Sequence, residues 1–176
     1  MSRIESTTLR DSLSVSITVG AYGTAFGAAA VANGFSVLQT CLLSLLTFSG
    51  ASQFAVIGVL GAGGGAISGI ATASLLGIRN GVYGVIMAPR LKVKGFKRIV
   101  AAQITIDEST AVALGQEVRG ESAMRQGFWL TGFGVFLFWN LFTVEVLLAR
   151  KPWEISVHGV LIQQFPRRFL VWYGHA

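Results

Sequence analysis

The stretch from Phe48 to Leu91, FSGASQFAVIGVLGAGGGAISGIATASLLGIRNGVYGVIMAPRL, constrains the fold more than any other part of the chain. From Ser49 to Ile78 it carries no charge, and then Arg79 and Asn80 interrupt a run of apolar and small residues. A helix on the surface of a water-soluble domain has distinct polar and apolar faces. This run is apolar or small nearly all round, as a helix solvated by lipid is. Small residues recur at every fourth position: Gly61, Gly65, Gly69, Ala73, Gly77 and Gly81. On one continuous helix they make a slowly rotating stripe about 30 Å long. Each glycine costs about 1 kcal/mol of helix propensity against alanine, and in lipid the usual compensation is close approach of two backbones. The stripe therefore reads as a helix-packing face.

Composition extends this reading to the whole chain. Of 176 residues, 52% are hydrophobic and only 12% charged, about half the charge fraction of a soluble domain. The expected class is an all-α, polytopic integral membrane protein with glycine-rich, discontinuous transmembrane helices. There is room for about five or six spans of roughly 20 residues. The formal charge of +6 lies in loops and tails, where it sets orientation in the membrane; it does not point to nucleic acid. The single cysteine, Cys41, gives neither a disulfide framework nor a thiolate metal site. His158 and His175 lie outside the spans with no zinc-type spacing. No metal or cofactor is expected. An intramembrane enzyme would need a nucleophile beside a base, and Cys41 has no histidine in the spans to serve it.

Taken in order, residues 1–11 are a polar head. The first apolar segment, Ser12 to Ala32, is broken by Gly20, Gly23 and Gly27. Its Ala30-Val31-Ala32 resembles a signal-peptidase site, but the run before it is too polar for an h-region, so a retained span is expected. A second run, Val37 to Leu60, is interrupted at Ser49-Gly50-Ala51-Ser52-Gln53, a candidate helix break. The third, Gly63 to Ala88, is expected to end at Pro89. Arg90, Lys92, Lys94, Lys97 and Arg98 follow without an acid, and the positive-inside rule puts that loop in the cytoplasm. Residues 99–118 are helix-compatible but carry Asp107 and Glu108 at their centre. The last span is Gln126 to Leu148, with Trp129 suited to an aromatic belt and Glu145, close to Arg150, suited to an interface. Domain organisation is thus 1–148, membrane-embedded, and 149–176, a basic and aromatic tail too short in apolar run to span. Three full crossings before the basic loop would put the N-terminus outside. A segment broken at Gly50 to Gln53 that does not cross as one rod resolves this, and is the expected solution.

Arg79 is the sharpest residue. A charge at the centre of a span costs about 2.5–3.5 kcal/mol on insertion scales. It stands eleven residues before Arg90, roughly 16 Å along a helix and too far for easy snorkelling. It is expected to face a cavity, either holding a substrate carboxylate or forming a structural ion pair with Asp107 or Glu108. Those two acids point about 100° apart on a helix and cannot share one partner equally. One is free to titrate, and loss of water around a carboxyl suits proton coupling. The other reading is a solvated cytoplasmic helix. Gly50, Ser52 and Gln53 either expose backbone groups at a break, as zwitterion sites do, or form a packing face. The Gly61-x-Gly63-x-x-Ala66 pattern follows no strand and is not a dinucleotide fingerprint.

Three blocks, GASQFAVIGVLGAGG, LLGIRNGVYGVIMAPRL and AAQITIDESTAVALGQ, in this order and spacing, resemble the AzlC family of branched-chain amino acid exporters. The resemblance covers about residues 12 to 148. It implies a bacterial inner-membrane permease exporting valine-like or leucine-like amino acids with transport coupled to the proton gradient, and a small hydrophobic AzlD-type partner subunit. The residues expected to bind substrate are Arg79, Asn80, Gly50, Ser52 and Gln53, and those expected to couple protons are Asp107 and Glu108. Family members run on through further apolar segments, whereas the tail KPWEISVHGVLIQQFPRRFLVWYGHA departs from that pattern. The rival reading is a membrane assembly subunit without transport of its own, or a truncated inactive paralogue.

The orientation is testable. A cysteine replacing Lys94 in a Cys41→Ser background should react with an impermeant maleimide only from the cytoplasmic side. Labelling in intact cells from outside would reverse the topology.

Overall fold

The computed structural model describes residues 6–149 as eight helices and a 3-10 turn, with no strand among the described residues. The tail, with His158, His175 and the Arg150 proposed beside Glu145, lies outside them. Helix α1 (Ser6–Gly20) runs into α2 (Tyr22–Ala32) through a bend at Ala21. Helices α3 (Val37–Leu46) and α4 (Gly50–Gly61) follow, then the long α5 (Ala66–Leu91). Helices α6 (Phe96–Gln103) and α7 (Asp107–Gln116) come next, then a turn at Glu117–Arg119 and the long α8 (Glu121–Leu148). Among the described residues three rods are long and apolar enough to cross a membrane: Ser6–Ala32, Ala66–Leu91 and Glu121–Leu148. The protein is an all-α, polytopic membrane protein.

Between the rods the chain makes two hairpins, and they enter from opposite ends. Asn33, after α2, presses its side chain on Gly61 at the end of α4, so α3 and α4 leave from and return to one end. At the other end, Thr8 donates to Gln116 Oε1 at 3.1 Å and Arg90 pairs with Glu117 at 3.2 Å. Helices α6 and α7 therefore start and finish beside the N-terminus of α1. Their tips meet: Gln103 Nε2 donates to the Leu45 carbonyl at 3.0 Å. The segment broken before Gly50 does not cross as one rod, and the N-terminal end of α1 lies with the basic loop. That end gathers Arg10, Arg90, Lys92, Lys94, Lys97, Arg98, Arg119 and Arg125, whereas loops 33–36 and 62–65 at the far end carry no charge. The asymmetry is the one that positive-inside orientation requires.

Helix α8 is the central rod. Buried residues recur along it from Ala123 to Leu147, and α1, α2, α3 and α7 pack on it. Its partner surface is small and polar: Thr8, Ser12, Ser16 and Gly20 are buried every fourth residue of α1. A Cβ on Gly20 would meet Phe138, and one on Gly23 would meet the Trp139 carbonyl. The stripe predicted from Gly61 to Gly81, by contrast, is not one helix. The chain turns at Ala62–Gly65, where Gly63 takes φ +80°, so only Gly69, Ala73 and Gly77 face α4. Ser52 Oγ donates to the Ala73 carbonyl there at 2.8 Å. Gly81 and Gly84 have open space before them. Helix α5 also passes Pro89 to Leu91: proline removes one late hydrogen bond, and Arg90 Nη1 donates back to the Ile86 carbonyl at 3.0 Å. Residues 99–118 are likewise not one helix but break at Ile104–Ile106.

The close contacts of α2 with α8 predict an asymmetry between glycines. Gly23→Ala should cost about 1–3 kcal/mol, as overpacking does, read as earlier unfolding in detergent. Gly84→Ala, with nothing to meet, should be neutral or mildly stabilising.

Candidate functional site

The hairpin tips and the three rods enclose a small cavity of about 120 Å³. Val19, Arg79 and Val135 reach it, each near the middle of its rod (Ser6–Ala32, Ala66–Leu91, Glu121–Leu148). The cavity thus sits midway between the two ends, where transporters built from discontinuous helices bind their substrates. Its remaining walls are Phe48, Ser49, Gly50 and Ala51 from one tip, Asn80 beside Arg79, Ile106, Asp107 and Glu108 from the other tip, and Trp139.

Each tip is a break whose freed backbone groups are met by nearby side chains. After α3, Gln53 Nε2 donates to the Thr47 carbonyl at 2.7 Å and lies 3.3 Å from that of Ser44. After α6, Ser109 Oγ accepts from Ile106 N–H at 3.0 Å and donates to the Ile104 carbonyl at 2.8 Å. These bonds let irregular backbone persist at membrane depth, where no water would satisfy it. Both tips then begin a helix, α4 at Gly50 and α7 at Asp107, so two positive helix ends face one cavity.

The charges sit on this frame. Arg79 Nη1 lies 2.8 Å from Asp107 Oδ2, and neither side chain is fully buried, at 45% and 35% exposed. The pair therefore lines the cavity and is not sealed inside protein. Asp107 and Glu108 occupy the first turn of α7, not the centre of a helix, where the helix dipole favours a carboxylate. Glu108 lines the same cavity and has no salt bridge among the described residues. A cation and two carboxylates facing one pocket can hold both ends of a zwitterion.

The structure brings Gly50, Arg79, Asn80, Asp107 and Glu108 together and leaves Ser52 and Gln53 out of the cavity wall. Gln53 closes the α3 end and Ser52 ties α4 to α5. Ser52 and Asn80 do line a neighbouring trough of about 490 Å³ with Leu43, Val56 and Ile70, and Phe48 and Ser49 border both spaces. Sequence reasoning passed over Trp139 as a site residue, because one tryptophan in a Phe- and Trp-rich span carries no signal of which way it faces. Ser49 lay inside the recognised break and was readable there. Among the described residues no group of three or more metal-ligating side chains forms.

Comparison with known proteins bears on this arrangement. A family model described as AzlC protein matches residues 14–149. Inner membrane protein YgaZ of Escherichia coli (strain K12) is 29% identical over 158 residues, which are 89% of this chain and 58% of that protein. The chain thus spans somewhat over half the length of this curated relative. No solved structure matches the chain.

The ion pair predicts a coupling. Arg79→Ala and Asp107→Asn should each lower membrane abundance, and the double variant should recover it, with an interaction energy of about 0.5–3 kcal/mol. Glu108→Gln combined with Arg79→Ala should instead be additive. Coupling to Glu108 and none to Asp107 would show that the arginine pairs differently in the membrane.

Proposed function

The chain belongs to the AzlC family, and on that premise we propose that it is a subunit of a secondary transporter exporting branched-chain amino acids across the bacterial inner membrane. The observation that carries the reading is the mid-membrane cavity in which Arg79, Asp107 and Glu108 face two helix N-termini. An amino acid brings one carboxylate, one ammonium and one side chain, and each finds a complementary surface. Arg79 keeps further N–H donors beyond the one on Asp107; these, Asn80 and the backbone at Gly50 take the carboxylate. The acids take the ammonium. The aliphatic side chain lies past Phe48 in the trough lined by Leu43, Val56 and Ile70, because 120 Å³ is small beside the roughly 300–1,000 Å³ of ordinary ligand pockets.

Proton coupling falls to the acidic pair. Asp107 is held by Arg79, whereas Glu108 has no salt bridge among the described residues and is the carboxyl that carries a proton through the cycle. A small hydrophobic AzlD-type subunit completes the transporter. It covers part of α5, whose apolar positions Ile67, Leu75, Ile78 and Val85 remain exposed.

Efflux tests the reading. Cells loaded with leucine or valine and expressing this chain with a small partner subunit should release them faster than cells carrying an empty vector. Gly50→Leu should abolish the difference while membrane insertion persists, since even a Cβ there lies 3.0 Å from Trp139 Cη2. No efflux above vector, with both subunits present in the membrane, would sink the proposal.

A further inference from the structure

Two buried polar atoms of residues that line the cavity have no hydrogen bond in the fold. Trp139 is 5% exposed and Ser49 7%, and neither Trp139 Nε1 nor Ser49 Oγ has a hydrogen-bond partner among the described residues. A buried donor left unmet costs about 1–3 kcal/mol, so such atoms are uncommon and call for an explanation. An indole N–H can only donate, and a hydroxyl can donate as well. Both atoms therefore suit an acceptor arriving from outside the chain.

The backbone beside them asks for the same thing. Ser49 is the N-cap of α4, a position where serine ordinarily accepts from the amides one turn on. Here it makes no such bond. Ser36, the same residue type at the start of α3, does accept, from Gln39 N–H at 3.2 Å. The first bond of α4 runs from Gln53 N–H to the Ser49 carbonyl at 2.9 Å, which leaves the amides of Gly50, Ala51 and Ser52 without an intrahelical acceptor. The Trp139 ring lies against Gly50, within van der Waals reach of where a Cβ would stand. The open amides, the positive end of a twelve-residue helix and the two unmet donors therefore belong to residues gathered around one space.

We propose that Ser49 Oγ, Trp139 Nε1 and the open amides of α4 form a carboxylate subsite that positions the substrate opposite Arg79. The proposal rests on the transport reading for the rest of the molecule, but the subsite itself requires only an aliphatic carboxylate. A carboxylate has two oxygens and about four acceptor sites, enough for Arg79 on one oxygen and this set on the other. The arrangement frees Arg79 from being the sole anchor and lets it stay bonded to Asp107 at 2.8 Å while substrate is held.

The test is equilibrium binding to the purified full chain in lipid nanodiscs, using radiolabelled L-leucine, 4-methylpentanoate and isopentylamine. Trp139→Phe and Ser49→Ala should each weaken leucine and 4-methylpentanoate about tenfold, the loss expected for a hydrogen bond to a charged group. Both should leave isopentylamine, which has no carboxylate, unchanged. Ser49→Ala removes one atom, so it remains informative if Trp139→Phe fails to fold. Wild-type affinities in the variants would overturn the subsite. So would an equal loss for isopentylamine, which would make both residues packing groups only. If 4-methylpentanoate binds and responds while leucine does not bind the wild type, the subsite stands and the amino acid reading falls.

Discussion

Lipid offers no hydrogen bonds, and that constraint governs how this molecule is built. Every backbone group freed by a break at membrane depth must be met by protein. Among the described residues there are two such breaks, and few side chains meet them. Gln53 answers the end of α3, Ser109 answers both sides of the turn at Ile104–Ile106, and Gln103 bonds one tip to the other through the Leu45 carbonyl. With these in place, three of the polar atoms that still lack a partner among the described residues share one location. Asp107 Oδ1, Ser49 Oγ and Trp139 Nε1 all belong to residues of the central cavity.

Electrostatics divide the protein into two regimes. At the basic end Arg90, Lys92, Arg119 and Arg125 are paired with Glu117, Glu121 and Asp11 in a solvated layer, where each contact contributes little on its own but the sum fixes orientation. At the centre Arg79 and Asp107 pair on the wall of the cavity with Glu108 beside them, at membrane depth, where each charge is costly unless it is answered. The first set can vary with small effect. In the second, losing Arg79 strands Asp107, and losing Asp107 strands Arg79.

Much of this was legible in the residues, and the failures have physical causes. Lack of charge over Ser49–Ile78 and the need to break near Gly50 gave the class and a segment that does not cross as one rod. The Arg79 and Asp107 pair was among the partnerships considered, because an isolated charge at either position would be expensive. The glycine stripe misled because a period of four says nothing about whether the helix continues, and the turn at Gly63 cuts it. The break before Asp107 was hidden because Ile104, Thr105 and Ile106 fit a helix or an extended turn equally well, and Ser109, which stabilises the turn, reads as an ordinary helical serine. The central role of α8 was missed because Phe and Trp suggest a lipid-facing surface, whereas its contacts run through Thr131, Thr143 and the glycines opposite.

The two hairpins also have a consequence for counting. Each returns the chain to the end it came from, so neither changes which side the polypeptide is on; only the three rods do. Three is odd, and Ser6 and Leu148 accordingly lie at opposite ends. A hairpin is thus invisible to topological parity. The polar lining of the centre can be lengthened, shortened or rebuilt within these segments without reversing the membrane orientation of anything that precedes or follows, a freedom that no full crossing has.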